Sequence, residues 1–235
     1  MTGGLPSFVT GDSEPHNASP ATVKQCCAGL YESDAARLLL GDSFHPGGTI
    51  LTERLGQILN LTAQSRVLDV AAGRGTSAFH LAERFGCMVV GIDYGWKNVE
   101  YAVQAAKDRG IHDRVFFQQA DAEHLPLADR SFDAVICECA FCTFPNKRVA
   151  ADEFARVLRV GGRVGVSDLT RSGALAPDLD GLLSWIACIA DAHPAATYAE
   201  LLTVSGLKVC AIEEHGKVLR EFVDQVRLRF SRPRS

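Results

Sequence analysis

The sequence predicts an α/β fold: a parallel, doubly wound sheet with helices on both faces. Three observations carry this. From Arg66 onward, short β-rich apolar runs alternate with amphipathic stretches in strict turn. The first run, "RVLDV", leads through the Gly-containing turn "AAGRG" into a helical pattern. An apolar share of 47% over 235 residues is enough for one sizeable core, and the length suits one domain better than two.

Each element follows in order. "RVLDV" (66–70) is a buried strand, and "SAFHLAERF" (77–85) an amphipathic helix. "MVVGID" (88–93) is the second strand, "WKNVEYAVQAAKDRG" (96–110) a helix and "VFFQQ" (115–119) the third strand. "FDAVIC" (132–137), "KRVAADEFARVL" (147–158) and "RVGVSDL" (163–169) repeat strand, helix, strand. Beyond them "LDGLLSWIACIADA" (179–192) and "YAELLTVSG" (198–206) read as helices and "LKVCAIEE" (207–214) as a further strand. "KVLREFVDQVRLRF" (217–230) closes the chain as a helix with apolar residues at 3.6 spacing. Residues 1–20 mix Gly, Ser, Pro, Asn and Thr and read as a flexible leader; 21–235 form one domain, with a core over about 50–170 and a substrate-side part over 171–235.

Composition narrows the function. A net charge of −4 and a pI near 6.0 give no broad attraction to nucleic acid or an anionic membrane surface. The four arginines of "RLRFSRPRS" form a short solvated tail. No signal peptide and no run of about 18 apolar residues is present, so the expected location is the cytoplasm. There the eight cysteines stay mostly reduced and available as thiolates.

Two sites stand out. In the turn after the first strand, Gly73 and Gly75 let the backbone pass close to a ligand. Asp93, at the end of the second strand, can accept both hydroxyls of a ribose. The turn lacks a full G-x-G-x-x-G, which argues for a nucleoside rather than a dinucleotide. The second site is "CECAFC", with Cys137, Cys139 and Cys142 at the end of the fourth strand. General-base chemistry would call for His, Asp or Glu, whereas thiolates suit a soft acceptor. Zinc would need a second Cys pair or a His at matching spacing, and none is present.

With "VLDVAAGRG", "VGIDYG", "QADAEHLPLADRSFDAVIC" and "FARVLRVGGRVGVSDL" in that order, the chain resembles class I S-adenosylmethionine-dependent methyltransferases, whose sheet is Rossmann-like. The resemblance implies that Asp69, Ala71 and the Gly73–Gly75 turn face the methionine part of S-adenosyl-L-methionine. It places Asp93 and Tyr94 at the ribose, Asp121 and Ala122 at the adenine, and Cys137 beside them. Ala71 stands where the family usually has its first glycine.

The segment "VICECAFCTFPNKRVAADEF" further resembles that of arsenite methyltransferases and puts a pocket cysteine at Cys139. "LLSWIACIADAHPAATYAELLTVSGL" puts a second at Cys188, and Cys26 and Cys27 are the candidates from the N-terminal segment. The implied substrate is trivalent arsenic held by Cys139 and Cys188, with Cys26 or Cys27 as third ligand or redox thiol and a thiol reductant as co-reactant. The family's cysteine just before the first strand has no counterpart here, and Glu138 and Cys142 replace its flanking asparagines. Two rivals stand beside this: methylation of a small organic or thiol acceptor, and a non-catalytic metalloid binder. Cys87 and Cys210 read as packing residues, His80 and His124 as solvated or locally bonded. His45 either caps a turn or closes over the cofactor, and Glu138 orients a thiol or serves electrostatics.

Overall fold

The computed structural model describes residues 19–33, 45–171, 173 and 191–231. Five strands form one sheet in the order β3-β2-β1-β4-β5: β1 Arg66–Val70, β2 Met88–Asp93, β3 Val115–Gln119, β4 Phe132–Glu138 and β5 Leu158–Ser167. Every neighbouring pair is parallel. Chain order runs outward from β1 on one side and resumes at β4 on the other, so the sheet changes direction between β1 and β4. Open α/β sheets bind ligands at that point, outside the strands' carboxyl ends.

Seven α-helices are described: α1 Pro20–Tyr31, α2 Gly48–Ile58, α3 Thr76–Phe85, α4 Trp96–Asp108, α5 Lys147–Val157, α6 Ala195–Val204 and α7 Gly216–Ser231. The core divides into two clusters. One joins Leu68, Val70, Val135 and Cys137 to α5 and Tyr198 of α6; the other joins Val67, Val89, Ala134 and Ile136 to α3 and the end of α2. Alternate residues of β1 and β4 feed opposite clusters, which explains why these strands are apolar throughout.

Two readings of the C-terminal part are corrected or set aside. Leu207–Glu214 joins no strand, and most of it is exposed, so the further strand expected there is absent. Cys210 is accordingly exposed rather than packed. Alternating residues gave that segment a strand-like pattern, but a strand needs a ladder partner. The helix expected over 179–192 falls mainly outside the described residues. Helix α1 was not anticipated, although Ser19 caps it by accepting the Thr22 N–H at 3.2 Å, with Pro20 at its first turn. Among the described residues no helix is long and apolar enough to cross a membrane.

Candidate active site

A cleft with about 1080 Å³ of open space, its mouth included, lies at the carboxyl ends of β1, β2 and β4. Its cofactor wall is made by backbone. Ala71, Gly73 and Gly75 all have positive φ, at 58°, 54° and 85°, and the chain reverses there before α3. Asp93 pins this turn: Oδ2 accepts the Gly73 N–H at 2.8 Å, and Oδ1 accepts from Gly95 N at 2.8 Å and Asn98 Nδ2 at 3.3 Å. Burial raises the Asp93 carboxyl above its usual range and those donors oppose the rise. Gly73 lines the cleft, but Gly75 does not. A Cβ on Gly75 would lie 2.5 Å from the Phe117 ring, so its smallness serves the core rather than the ligand, a correction to its expected role.

The opposite rim is built from side chains that lie far apart in sequence. Lys24 of α1 donates to Asp121 at 2.8 and 3.0 Å and to Glu123 at 2.6 Å, bringing Cys27, Ala28 and Tyr31 onto the cleft. Burial opposes ionisation of Asp121, but Lys24 and the Glu123 N–H outweigh it and hold its carboxyl below the usual range. At its other end α1 is fixed by Glu32, which accepts the Lys97 N–H at 2.9 Å. Nothing in the local sequence announced Lys24, because its partners lie about a hundred residues away.

At the end of β4, Glu138 points inward and accepts from Ser77 Oγ at 2.6 Å and Thr52 Oγ1 at 2.9 Å. His45 is buried beside it, lines the cleft, and places Nε2 3.9 Å from Glu138 Oε2. Its Nδ1 lies 3.3 Å from the Pro46 carbonyl. The sequence offered both readings of His45, and the structure puts it at the cleft with a local backbone contact as well.

The thiols separate. Cys139 is half-buried on the cleft wall, with φ 53° and its N–H donated to Ser167 O at 2.7 Å. A non-glycine residue held in the left-handed region is uncommon and concentrates at functional sites. Cys27 lines the same cleft, whereas Cys26 does not. Cys137 is fully buried and its side chain joins the core; burial, then the Asp168, Asp69 and Glu138 charges, push its thiol far above the usual range. Its side chain therefore packs in the core, which leaves only its backbone to border the cleft. Cys142 is also buried, its N–H donated to Asp168 Oδ2 at 2.8 Å. Cys87 is buried as expected, its thiol pushed up to about 11 by burial. Cys188 lies outside the described residues. Among the described residues no cluster of three His, Cys, Asp or Glu side chains is placed to hold a metal ion.

The sites expected for S-adenosyl-L-methionine meet: Asp69, Ala71, Gly73, Asp93, Tyr94, Asp121 and Ala122 all line the cleft. The residues fit that group. Asp69 is 2% exposed and its Oδ2 has no hydrogen-bond partner among the described residues, an orphaned acceptor on the cleft of the kind a bound group satisfies.

Comparison with known proteins agrees with this geometry. A family model described as a methyltransferase domain matches residues 68–166. The 27-O-demethylrifamycin SV methyltransferase of Amycolatopsis mediterranei is 40% identical over 120 residues, covering 51% of this chain and 44% of that protein. An uncharacterised protein of Mycobacterium bovis is 34% identical over 194 residues, 80% of this chain and 68% of its own length. The crystal structure of the [4+2]-cyclase SpnF shares the fold with a TM-score of 0.77 at 24% identity, covering 91% of this chain and 82% of that one. The chain spans about half the length of several curated relatives it matches. With the β3-β2-β1-β4-β5 order, the Asp93-pinned turn and a matching domain model in agreement, the chain belongs to the class I S-adenosylmethionine-dependent methyltransferases.

Proposed function

We propose that the chain transfers the methyl group of S-adenosyl-L-methionine to trivalent arsenic held by cysteine thiolates. The observation that carries the reading is the meeting of Cys27, from α1, and Cys139, from the loop after β4, on the cleft that holds the Asp93-pinned turn. The cofactor, when bound, supplies an activated methyl on a sulfonium. Asp93 and the Gly73 backbone would hold its ribose and methionine ends, and Asp121, kept ionised by Lys24, would face its adenine. Cys139 and Cys27 would hold arsenite in line with the methyl. Cys188 would be the third thiol, by resemblance alone.

The bound cofactor would supply the methyl and take the carbon–sulfur electron pair on its sulfur, and Cys139 and Cys27 would orient arsenic so that its lone pair faces that carbon. No base is required; the protein supplies proximity and orientation. Two electrons from a thiol reductant return arsenic to the trivalent state and leave a disulfide. Of the two N-terminal candidates, Cys27 is favoured over Cys26 because it lines the cleft.

A second reading, methylation of a small organic hydroxyl or amine, has its own support. Glu138 and His45 are acid–base groups on the cleft, and the rifamycin relative's name specifies an organic acceptor. Because the fold is shared with a cyclase, turnover is the needed test. Labelled S-adenosyl-L-methionine, arsenite and excess thiol should give methylated arsenic with wild type and none with Cys139→Ser, while the variant still binds cofactor. Equal yields from both would overturn the role of Cys139 as an arsenic ligand; no product from a cofactor-binding wild type would overturn the arsenic reading and move the assignment to the organic acceptor.

A further inference from the structure

On the wall opposite the Asp93-pinned turn, a buried nitrogen has no hydrogen-bond partner among the described residues: Nε2 of His45, in a side chain 7% exposed. His45 lines the cleft just ahead of α2, and Nε2 lies 3.9 Å from Glu138 Oε2, beyond hydrogen-bond reach. The Glu138 carboxylate is already served by Ser77 Oγ at 2.6 Å and Thr52 Oγ1 at 2.9 Å. Nδ1 lies 3.3 Å from the Pro46 carbonyl, which can only accept, so the ring proton sits on Nδ1 and Nε2 keeps its lone pair.

A buried acceptor left unpaired is costly, so the position fits a ligand that brings its own donor. The neighbouring groups supply none. Glu138 is a carboxylate, and Lys24 of α1 is committed to Asp121 and Glu123. What stands beside His45 on this wall is sulfur: Cys139 follows Glu138 at the end of β4, and Cys27 reaches the cleft from α1. The wall therefore offers two thiols for a soft atom and one lone pair for a hydroxyl carried by that atom.

We propose that His45 is a specificity-determining residue: its Nε2 accepts a hydrogen bond from a hydroxyl that arsenic keeps when Cys27 and Cys139 bind it. This rests on the arsenic reading above, and gives the third position to oxygen in place of the Cys188 thiol that resemblance alone suggests. Arsenous acid arrives with three hydroxyls. Each thiol that binds forms an arsenic–sulfur bond, and its proton leaves with one hydroxyl as water. Two thiols consume two hydroxyls, and the third faces Nε2. Monomethylarsonous acid, the first methylated product in its reduced form, has only two hydroxyls; both are spent on sulfur, and a methyl then faces the lone pair. A site built to take an O–H discriminates against the analogue that lacks it, because its own polar group is left unpaired. The cleft therefore prefers arsenite to its methylated product.

Titration calorimetry of the full chain, with a phosphine as reductant so that no competing thiol is present, gives the affinities for arsenite and for monomethylarsonous acid. His45→Leu should lower the affinity for arsenite relative to that for monomethylarsonous acid by about tenfold, the loss of one hydrogen bond. His45→Gln, whose amide oxygen can still accept, should keep most of the wild-type ratio. A purely structural role would weaken both ligands together. X-ray absorption at the arsenic edge of the wild-type arsenite complex should show two sulfurs and one oxygen.

The proposal is overturned if three sulfurs surround arsenic in wild type, a result that would leave the arsenic reading standing, or if His45→Leu leaves the ratio of the two affinities unchanged. Should the variants not fold, the wild-type coordination decides the matter. A wild type that binds S-adenosyl-L-methionine but neither arsenical overturns the arsenic reading itself, and this inference with it.

Discussion

The two walls of the cleft are built in opposite ways. The cofactor wall is local: a strand end, a turn of left-handed residues and a carboxylate one strand over, which bonds the turn's own backbone. The opposite wall is assembled at long range, from α1, the segment around His45 and the loop after β4. Backbone geometry tolerates sequence drift, whereas a wall of side chains from separate elements can be remade residue by residue. That division lets a fold keep one cofactor and change acceptors.

The largest effect should come from breaking the local wall. Asp93→Ala removes the shared acceptor of Gly73, Gly95 and Asn98 that pins the turn. Cofactor binding should weaken by about 100-fold, the equivalent of losing one or two charge-assisted hydrogen bonds. Calorimetry reads this directly, and an affinity within a few-fold of wild type would show that the turn holds without its carboxylate.

Next comes the long-range wall. Lys24→Met leaves the Asp121 and Glu123 carboxylates without their cation, and Glu123 is only 4% exposed. Because Asp121 retains partial solvent contact, the cost should be about 2 kcal/mol, below that of breaking a fully buried pair. The sharper readout is chemical. If Lys24 is what holds α1 on the cleft, Cys27 should react faster with a thiol reagent in the variant, while the rate at buried Cys137 stays unchanged.

The same contrast sets what could be read from the sequence. The five strands and the helices between them were legible, because apolar runs on buried parallel strands and 3.6-residue patterns leave local signatures. Asp93 and the turn were legible for the same reason. Lys24, Thr52 and Ser77 were not: each is an ordinary helix residue whose role comes from partners in distant elements. Cys137 stayed open because a strand end is half core and half site, and sequence does not say which way its side chain turns. "LKVCAIEE" misled because alternation alone does not supply a neighbouring strand.

A pH experiment tests the junction of the two walls. With its folded-state pKa raised by burial and by Glu138 and Asp93, Asp69 is protonated in the folded protein over a window where the unfolded chain has already lost that proton. In that window the folded state binds more protons, so this group favours folding as pH falls and opposes it as pH rises. Measured without cofactor, Asp69→Asn should melt higher than wild type at neutral pH. The gap should close as pH drops toward the ordinary carboxylate range. A gap independent of pH would show that Asp69 acts by shape rather than charge.

The smallest effect separates the walls most cleanly. Ala71 and Cys139 are both non-glycine residues in left-handed backbone, at φ 58° and 53°, one on each wall. Glycine relieves the Cβ clash at either position by about 1–2 kcal/mol, and gives back about 0.5–1 kcal/mol in unfolded-state freedom. Ala71→Gly and Cys139→Gly should therefore each shift stability by no more than about 1.5 kcal/mol, as read by denaturant midpoints. Function should divide them. Ala71→Gly loses a single methyl from a wall made of backbone and should keep both cofactor binding and turnover. Cys139→Gly has the same backbone relief and should keep cofactor binding, but lose arsenite methylation with its thiol. If both variants retain turnover, the strained backbone at Cys139 belongs to the turn and not to the acceptor, and the long-range wall loses its central residue.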